Sequence, residues 1–289
     1  MPLAKLLAVI DGGSGSEAAV TAALDLGRRC SARVELLHVE IDPESAVPMV
    51  GEGMSGAAVE QLVQSLRVEA EQRRERARGL YEKHCVAAGL NVVEAHAVSA
   101  PGTFAVCFHG LVGSEVDEVL RYGRLSDLTV VARPNAEEEG GLTTTFDAAL
   151  FDSGRPVLLV PAMPAAGLGS AVAIAWDRSR EATRAVGAAL PLLTAAEKVV
   201  ILAAREPGSE AEPSELAAYL ALHGVAARTW AFTPGSGSLG EALLEEAAKA
   251  EADLLVMGAY GHSRLREMVL GGVTRAILGD AAIPVLLMH

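Results

Sequence analysis

Short unbroken apolar runs alternate with longer stretches of helical period along the whole chain. Runs such as LLAVI, LTVVA and PVLLV lack the polar alternation of a half-solvated strand, which marks strands covered on both faces in a parallel sheet. The pattern predicts strands over 3–10, 33–40, 91–98, 128–132 and 156–160, then over 170–176, 198–204, 226–232, 253–257 and 284–288. Four helices separate the strands in each half. Helix ends have local signals. Ser14 with Glu17 reads as a capping box ahead of Ala18, Ala19 and Val20, and Ser179 is placed to cap the matching helix later on. Gly89 and Gly224 stand where the second helix of each half should stop.

The two halves repeat one another. Asp11 matches Asp177, Val20 matches Val186, and Ala22, Ala23 and Leu24 match Ala188, Ala189 and Leu190. DLTVVA at 127–132 echoes DLLVMG at 253–258, and RPVLLVP at 155–161 echoes IPVLLMH at 283–289. The order of the pieces is the same in both halves, so the chain is a tandem duplication of an α/β unit. MPAAGLG at 163–169 reads as a linker, giving domains 1–162 and 168–289. One feature has no counterpart: a loop at 41–56 followed by a long charged helix in the first half, read as a solvated face.

Composition narrows the function. The 289 residues carry a net charge of −13, which argues against nucleic acid and against anionic membranes as partners. No apolar run reaches the ~20 residues of a membrane span, and the apolar N-terminus lacks the features of a signal peptide. Aromatics make up 4% of the chain, which suits helices packed on a parallel sheet. Cys30, Cys85 and Cys107 form no CxxC pair and are expected to be reduced, mostly buried small hydrophobes of a cytoplasmic protein.

Candidate chemistry centres on GAYGHSRLREMVLGGVTRAIL, residues 258–278. With strand order 3-2-1-4-5, strands 1 and 4 flank the point where the order reverses, and ligands of such sheets bind there. Asp177 and Gly258 end those two strands in the second half. Gly258 and Gly261 let a loop approach a ligand with its amides exposed, and Gly271 and Gly272 precede a helix start suited to anions. His262, Arg264, Arg266 and Arg275 gather positive charge around this stretch.

These residues resemble the ATP-binding signature of the universal stress protein family, GxxGx9G followed by Ser or Thr. The strand-end Asp177, the PVLL last strand and the tandem arrangement are similar to that family as well. The resemblance implies an α/β fold of two tandem Rossmann-like (adenine-nucleotide alpha-hydrolase-like) domains. Each would hold a five-stranded parallel sheet of order 3-2-1-4-5 with helices on both faces. It also implies an internal pseudo-dimer whose last strands pair, and a regulatory function in which ATP stabilises one conformation or one partner surface. Position by position, Asp177 would contact adenosine, Gly258 and Gly261 would form the phosphate loop, and Gly271, Gly272 and Val273 would hold phosphates through their amides. Gly272 departs from the usual hydroxyl residue, and Thr274 is a substitute near in sequence. His262 and Arg264 are further candidates, and Asp177 is a candidate to hold a hydrated Mg²⁺ beside the nucleotide.

The first half departs from the signature. AEEEGGLTTTFDAAL at 136–150 replaces the glycines with Thr143 and Thr144 and places three glutamates near the expected phosphates. Coulomb repulsion there opposes a polyphosphate, so the first half is expected to bind no ATP. Two other readings stay open. GSGSEA at 13–18 fits a dinucleotide fingerprint with Glu40 as the ribose acid, and a nucleotide-free scaffold would need no site. His38, His84, His96, His109 and His223 show no metal-ligand spacing, and no catalytic constellation is found. Slow ATP hydrolysis and a further homodimer are both left open.

Overall fold

The computed structural model describes residues 3–42, 55–133, 142–162, 167–205, 213–235, 237–259 and 272–289. They fall into two compact units, Leu3–Ser153 and Gly154–His289.

The first unit runs β1 (Lys5–Val9), α1 (Ser16–Cys30), β2 (Arg33–Glu40), α2 (Gly56–Tyr81), β3 (Ala105–Val112), α3 (Glu115–Gly123), β4 (Leu128–Ala132) and α4 (Leu142–Asp152). Its strands lie in the order β3-β2-β1-β4, all parallel. Leu6, Leu7 and Ala8 of β1 are fully buried, as are Val130 and Val131 of β4. The unbroken apolar runs therefore report a two-sided core. The alanines Ala19 and Ala23 of α1 have no exposed surface, and such short side chains let the helix lie close to the sheet.

The second unit contains β5 (Val157–Val160), β6 (Ala171–Ala175), α5 (Arg180–Leu193), β7 (Lys198–Ala204), α6 (Pro213–Leu222), β8 (Ala227–Phe232), α7 (Leu239–Lys249), β9 (Leu254–Gly258), α8 (Gly272–Asp280) and β10 (Val285–Met288). The parallel order is β8-β7-β6-β9-β10, so the second repeat has the expected 3-2-1-4-5 arrangement. β5 adds to this sheet antiparallel to β10, with Val157 opposite Leu287 and Leu159 opposite Val285. The fifth strand of the first repeat thus clusters with the second unit.

An aspartate does the same work in both repeats. Asp127 Oδ2 accepts from the amides of Ala4 and Lys5 at 2.8 and 3.0 Å, where β1 begins. Asp253 accepts from Gly169, Ser170 and Ala171 at 2.7, 3.0 and 3.0 Å, where β6 begins. These carboxylates fix the entry of the first strand of each repeat beside its fourth.

Two local expectations change. The third strand is Ala105–Val112, not 91–98; the earlier segment contributes an isolated bridge from Val92 to Val106. Residues 91–98 are mostly exposed, whereas Ala105, Val106 and Cys107 have no exposed surface, so burial decides between two β-prone stretches. The capping box at Ser14 and Glu17 is not formed. Gly15 occupies the N-cap of α1 without a side-chain cap, and Glu17 Oε1 meets Lys83 Nζ at 2.7 Å and His84 Nε2 at 2.8 Å. Ser179 does cap α5, accepting from Ala182 N at 3.1 Å. Gly89 and Gly224 adopt positive φ after their helices.

Candidate functional site

β6 and β9 are neighbours with Ile174 opposite Val256, which carries Asp177 and Gly258 to the same carboxyl edge of the second sheet. The strand order reverses here, since β6 lies between β7 and β9. Asp177 is exposed, and its Oδ1 accepts from Ser179 N at 2.9 Å. This short turn, with Arg178 at φ 61°, swings the chain from β6 into α5. Arg178 leaves the turn toward Glu215, 2.8 Å away.

Gly258 is required by close approach. A Cβ at this position would run into the backbone N of Ala182 and come within 2.6 Å of the carbonyl carbon of Glu181. The first turn of α5 therefore presses on the end of β9, and any side chain at 258 would push it away. Gly272, Val273 and Thr274 open α8, so their N–H groups lie in the turn that has no intrahelical acceptor. Val273 packs under α7, where a Cβ on Gly240 would be 2.9 Å from the Val273 carbonyl. Thr274 is 4% exposed, which places its side chain in the packing of α8. The structure thus brings Asp177 and Gly258 to one edge and sets Gly272, Val273 and Thr274 at a helix start. Gly261, His262, Arg264, Arg266 and Gly271 lie outside the described residues, as do the side chain of Arg275, residues 136–141 and the side chain of Thr143.

The corresponding edge of the first unit is occupied by protein. Asp11 Oδ1 accepts from Gly13 N at 2.8 Å and from Ser16 Oγ at 2.7 Å. Arg76 Nε donates to Gly12 O at 2.7 Å, and Arg73 Nη1 is 3.8 Å from Asp11 Oδ2. A Cβ on Gly12, which has φ 77°, would strike the Arg73 carbonyl, so α2 itself lies on this turn. A Cβ on Gly15 would be 2.7 Å from Ala132 Cβ at the end of β4. Of the two glycines in the 13–18 fingerprint, Gly15 is accounted for by its contact with β4, and a Cβ on Gly13 would be 2.9 Å from Asp11 Oδ2. The sequence missed this role of α2 because Arg73 and Arg76 belong to a charged run whose only buried residue is Ala77.

Glu115, at the start of α3, is a further carboxylate close to Asp11. Burial, reinforced by the negative charge of Asp11, pushes its pKa up to about 7, against the opposing pull of a Thr145 hydrogen bond and Arg73. Its Oε1 is buried without a hydrogen-bond partner among the described residues.

The sequence matches the model of the universal stress protein family twice, over residues 3–131 and 170–289. A universal stress protein of Synechocystis sp. is 44% identical over 50 residues, a match that spans 17% of this chain and 17% of that protein. Among solved structures, a universal stress protein from Archaeoglobus fulgidus superposes with a TM-score of 0.64 at 16% identity, covering 98% of this chain and 97% of the other. A putative universal stress protein from Pseudomonas aeruginosa gives a TM-score of 0.57 at 15% identity, covering 99% and 93%. At these identities the structural likeness speaks for the fold.

Proposed function

The chain belongs to the universal stress protein family as a tandem member, and from that premise we propose that it is a regulatory protein with one ATP site, in its second repeat. The reading rests on one observation above others: Asp177 and Gly258 follow neighbouring strands at the point of strand reversal, and Gly258 has no room for a side chain. The described residues fit a nucleotide there. Asp177 offers an exposed carboxylate as a hydrogen-bond acceptor for a ribose hydroxyl, and the N–H groups of Gly272, Val273 and Thr274 suit phosphate oxygens. Gly258, Gly261 and Gly271 complete the loop in this proposal, with His262 and Arg264 adding positive charge, and Asp177 also serves a hydrated Mg²⁺.

The first repeat is proposed to carry no nucleotide, because α2 and its arginines lie on the turn after β1. The same contacts disfavour an NAD site at 13–18. Boundaries at 162 and 168, a cytoplasmic location and pairing of the repeats as an internal pseudo-dimer belong to this reading. Among the described residues no helix is long and apolar enough to cross a membrane.

The test is calorimetric titration of the purified protein with ATP, with mass spectrometry of nucleotide released on denaturation. One ATP per chain is expected. Asp177→Ala, an exposed change, should weaken binding about tenfold or more, as for loss of a charge-assisted hydrogen bond, while Asp11→Ala leaves it unchanged. No bound nucleotide and no heat with ATP would sink the proposal in favour of a nucleotide-free scaffold; heat with NAD alone would favour the fingerprint loop.

A further inference from the structure

Within the first unit a second polar cluster lies toward the amino ends of the strands, away from the carboxyl edge. Strand pairing sets Arg33 opposite Lys5 and Ala105, and Glu35 opposite Leu7 and Cys107. The two-residue period of a strand places Lys5, Arg33, Glu35, Cys107 and His109 on one face of the sheet. Glu35, Cys107 and His109 are 5%, 0% and 4% exposed. His109 Nε2 stands 3.4 Å from Glu35 Oε2 and 3.6 Å from Cys107 Sγ, and one ligand atom from each residue lies within 4.8 Å of the others.

We propose that Glu35, Cys107 and His109 form a divalent transition-metal site suited to Zn²⁺. The chemistry of the donor set is one carboxylate oxygen, one imidazole nitrogen and one thiolate sulfur, the set that zinc takes. Bonds of ~2.0 Å to N and O and ~2.3 Å to S in a tetrahedron put ligand atoms roughly 3.3–3.6 Å apart, which is the spacing of the two measured pairs. The ligands stand on adjacent strands and need little rearrangement.

Two cations share the face and must be reconciled with a metal. Lys5 Nζ is 2.8 Å from Glu35 Oε2, and Arg33 holds Glu35 Oε1 at 2.9 Å with its Nε and approaches Cys107 Sγ at 3.2 Å with Nη2. Arg33 is anchored elsewhere, donating to the carbonyls of Ala95 and Ala97, and from there it serves a thiolate as an N–H donor. Lys5 is different, for its side chain is 26% exposed and carries its charge on a flexible stem. When the metal enters, Cys107 gives its S–H proton to solvent, its sulfur bonds to the metal, and Lys5 swings out. The ion with its thiolate then carries the same net charge as the departed ammonium, so the pocket's charge is conserved. His96, whose ring centre is 6.1 Å from that of His109, stands on an exposed turn and is available for the fourth position in place of water.

The full-length protein, stripped of metal, would be titrated with Co²⁺ and then Zn²⁺ while proton release is followed. One Co²⁺ per chain with a thiolate charge-transfer band, displaced by Zn²⁺ with release of at least one proton on loading, is the expected result. Cys107→Ser should abolish the band and weaken Zn²⁺ binding at least ~10–100-fold. Lys5→Met removes the competing ammonium without touching a ligand and should tighten binding several-fold, which keeps the test decisive if Cys107→Ser fails to fold. Absence of binding in the micromolar range, a Co²⁺ spectrum without sulfur charge transfer, or Lys5→Met binding no more tightly would overturn the site and leave a self-contained hydrogen-bond network.

Discussion

Asp11 and Asp177 occupy the same place in the repeat and have different surroundings. Asp177 stays exposed, bonded to the one amide of Ser179. Asp11 is tied to Gly13, Ser16 and Arg73 and pushes its charge against Glu115. Because burial and Asp11 raise the folded-state pKa of Glu115 from 4.5 to about 7, folding favours its neutral form. Stability from this group is full below about pH 4.5 and is lost as pH rises toward 7. Glu115→Gln should therefore match the wild type in thermal denaturation at pH 4 and exceed it at pH 8, by on the order of 2–4 °C. An equal difference at both pH values would show that the carboxyl is not held neutral. Glu35 behaves oppositely. Burial alone would raise its pKa, yet hydrogen bonds from His109 and Lys5 bring it to about 2. Its contribution persists above about pH 4.5 and fades as pH falls toward 2. Neither carboxylate announces itself in sequence, since its partners come from other strands and helices.

At the scale of elements, the strand and helix pattern was legible wherever both faces are covered, as in β1, β4, β6 and β9. It was misleading at the third strand of the first repeat. There 91–98 and 105–112 both carry β-prone residues, and the eight-residue register with β2 chose the second. The Ser14–Glu17 spacing likewise fitted a capping box, but Lys83 and His84 claim the Glu17 carboxylate. The placement of Asp177 and Gly258 at the ends of neighbouring strands was legible, because local pattern sets both ends. Cys107 and His109 carried no metal-ligand reading in the sequence, and only the pairing of β3 with β2 sets them beside Glu35. Asp127 and Asp253 were visible as repeated letters without a role, and the structure supplies one. Asp253→Ala would strand three amides at the start of β6 and should cost about 2–3 kcal/mol in urea unfolding. A loss under 0.5 kcal/mol would mean that water replaces the carboxylate at no cost. Asp177→Ala, with one amide bonded and an exposed side chain, should change stability far less.

At the scale of the whole molecule, the duplication was legible as repeated pieces in fixed order, and the two family matches follow it. The pairing of β5 with β10 is the one that the family resemblance implied, whereas the clustering of β5 with the second unit was not legible, because the sequence gives that strand to the first repeat. A chain cut between 162 and 168 is therefore severed where covalent order and spatial order disagree. Fragments 1–162 and 168–289, expressed together, should co-purify through the antiparallel pairing of Leu158 with Leu286. Fragment 168–289 alone should aggregate or self-associate along the bared edge of β10. Independent, monomeric fragments would refute this. The reunion of the halves then amounts to an intramolecular donated strand, a covalently tethered form of fragment complementation. A reporter split at this linker would glow only while the strand is in place.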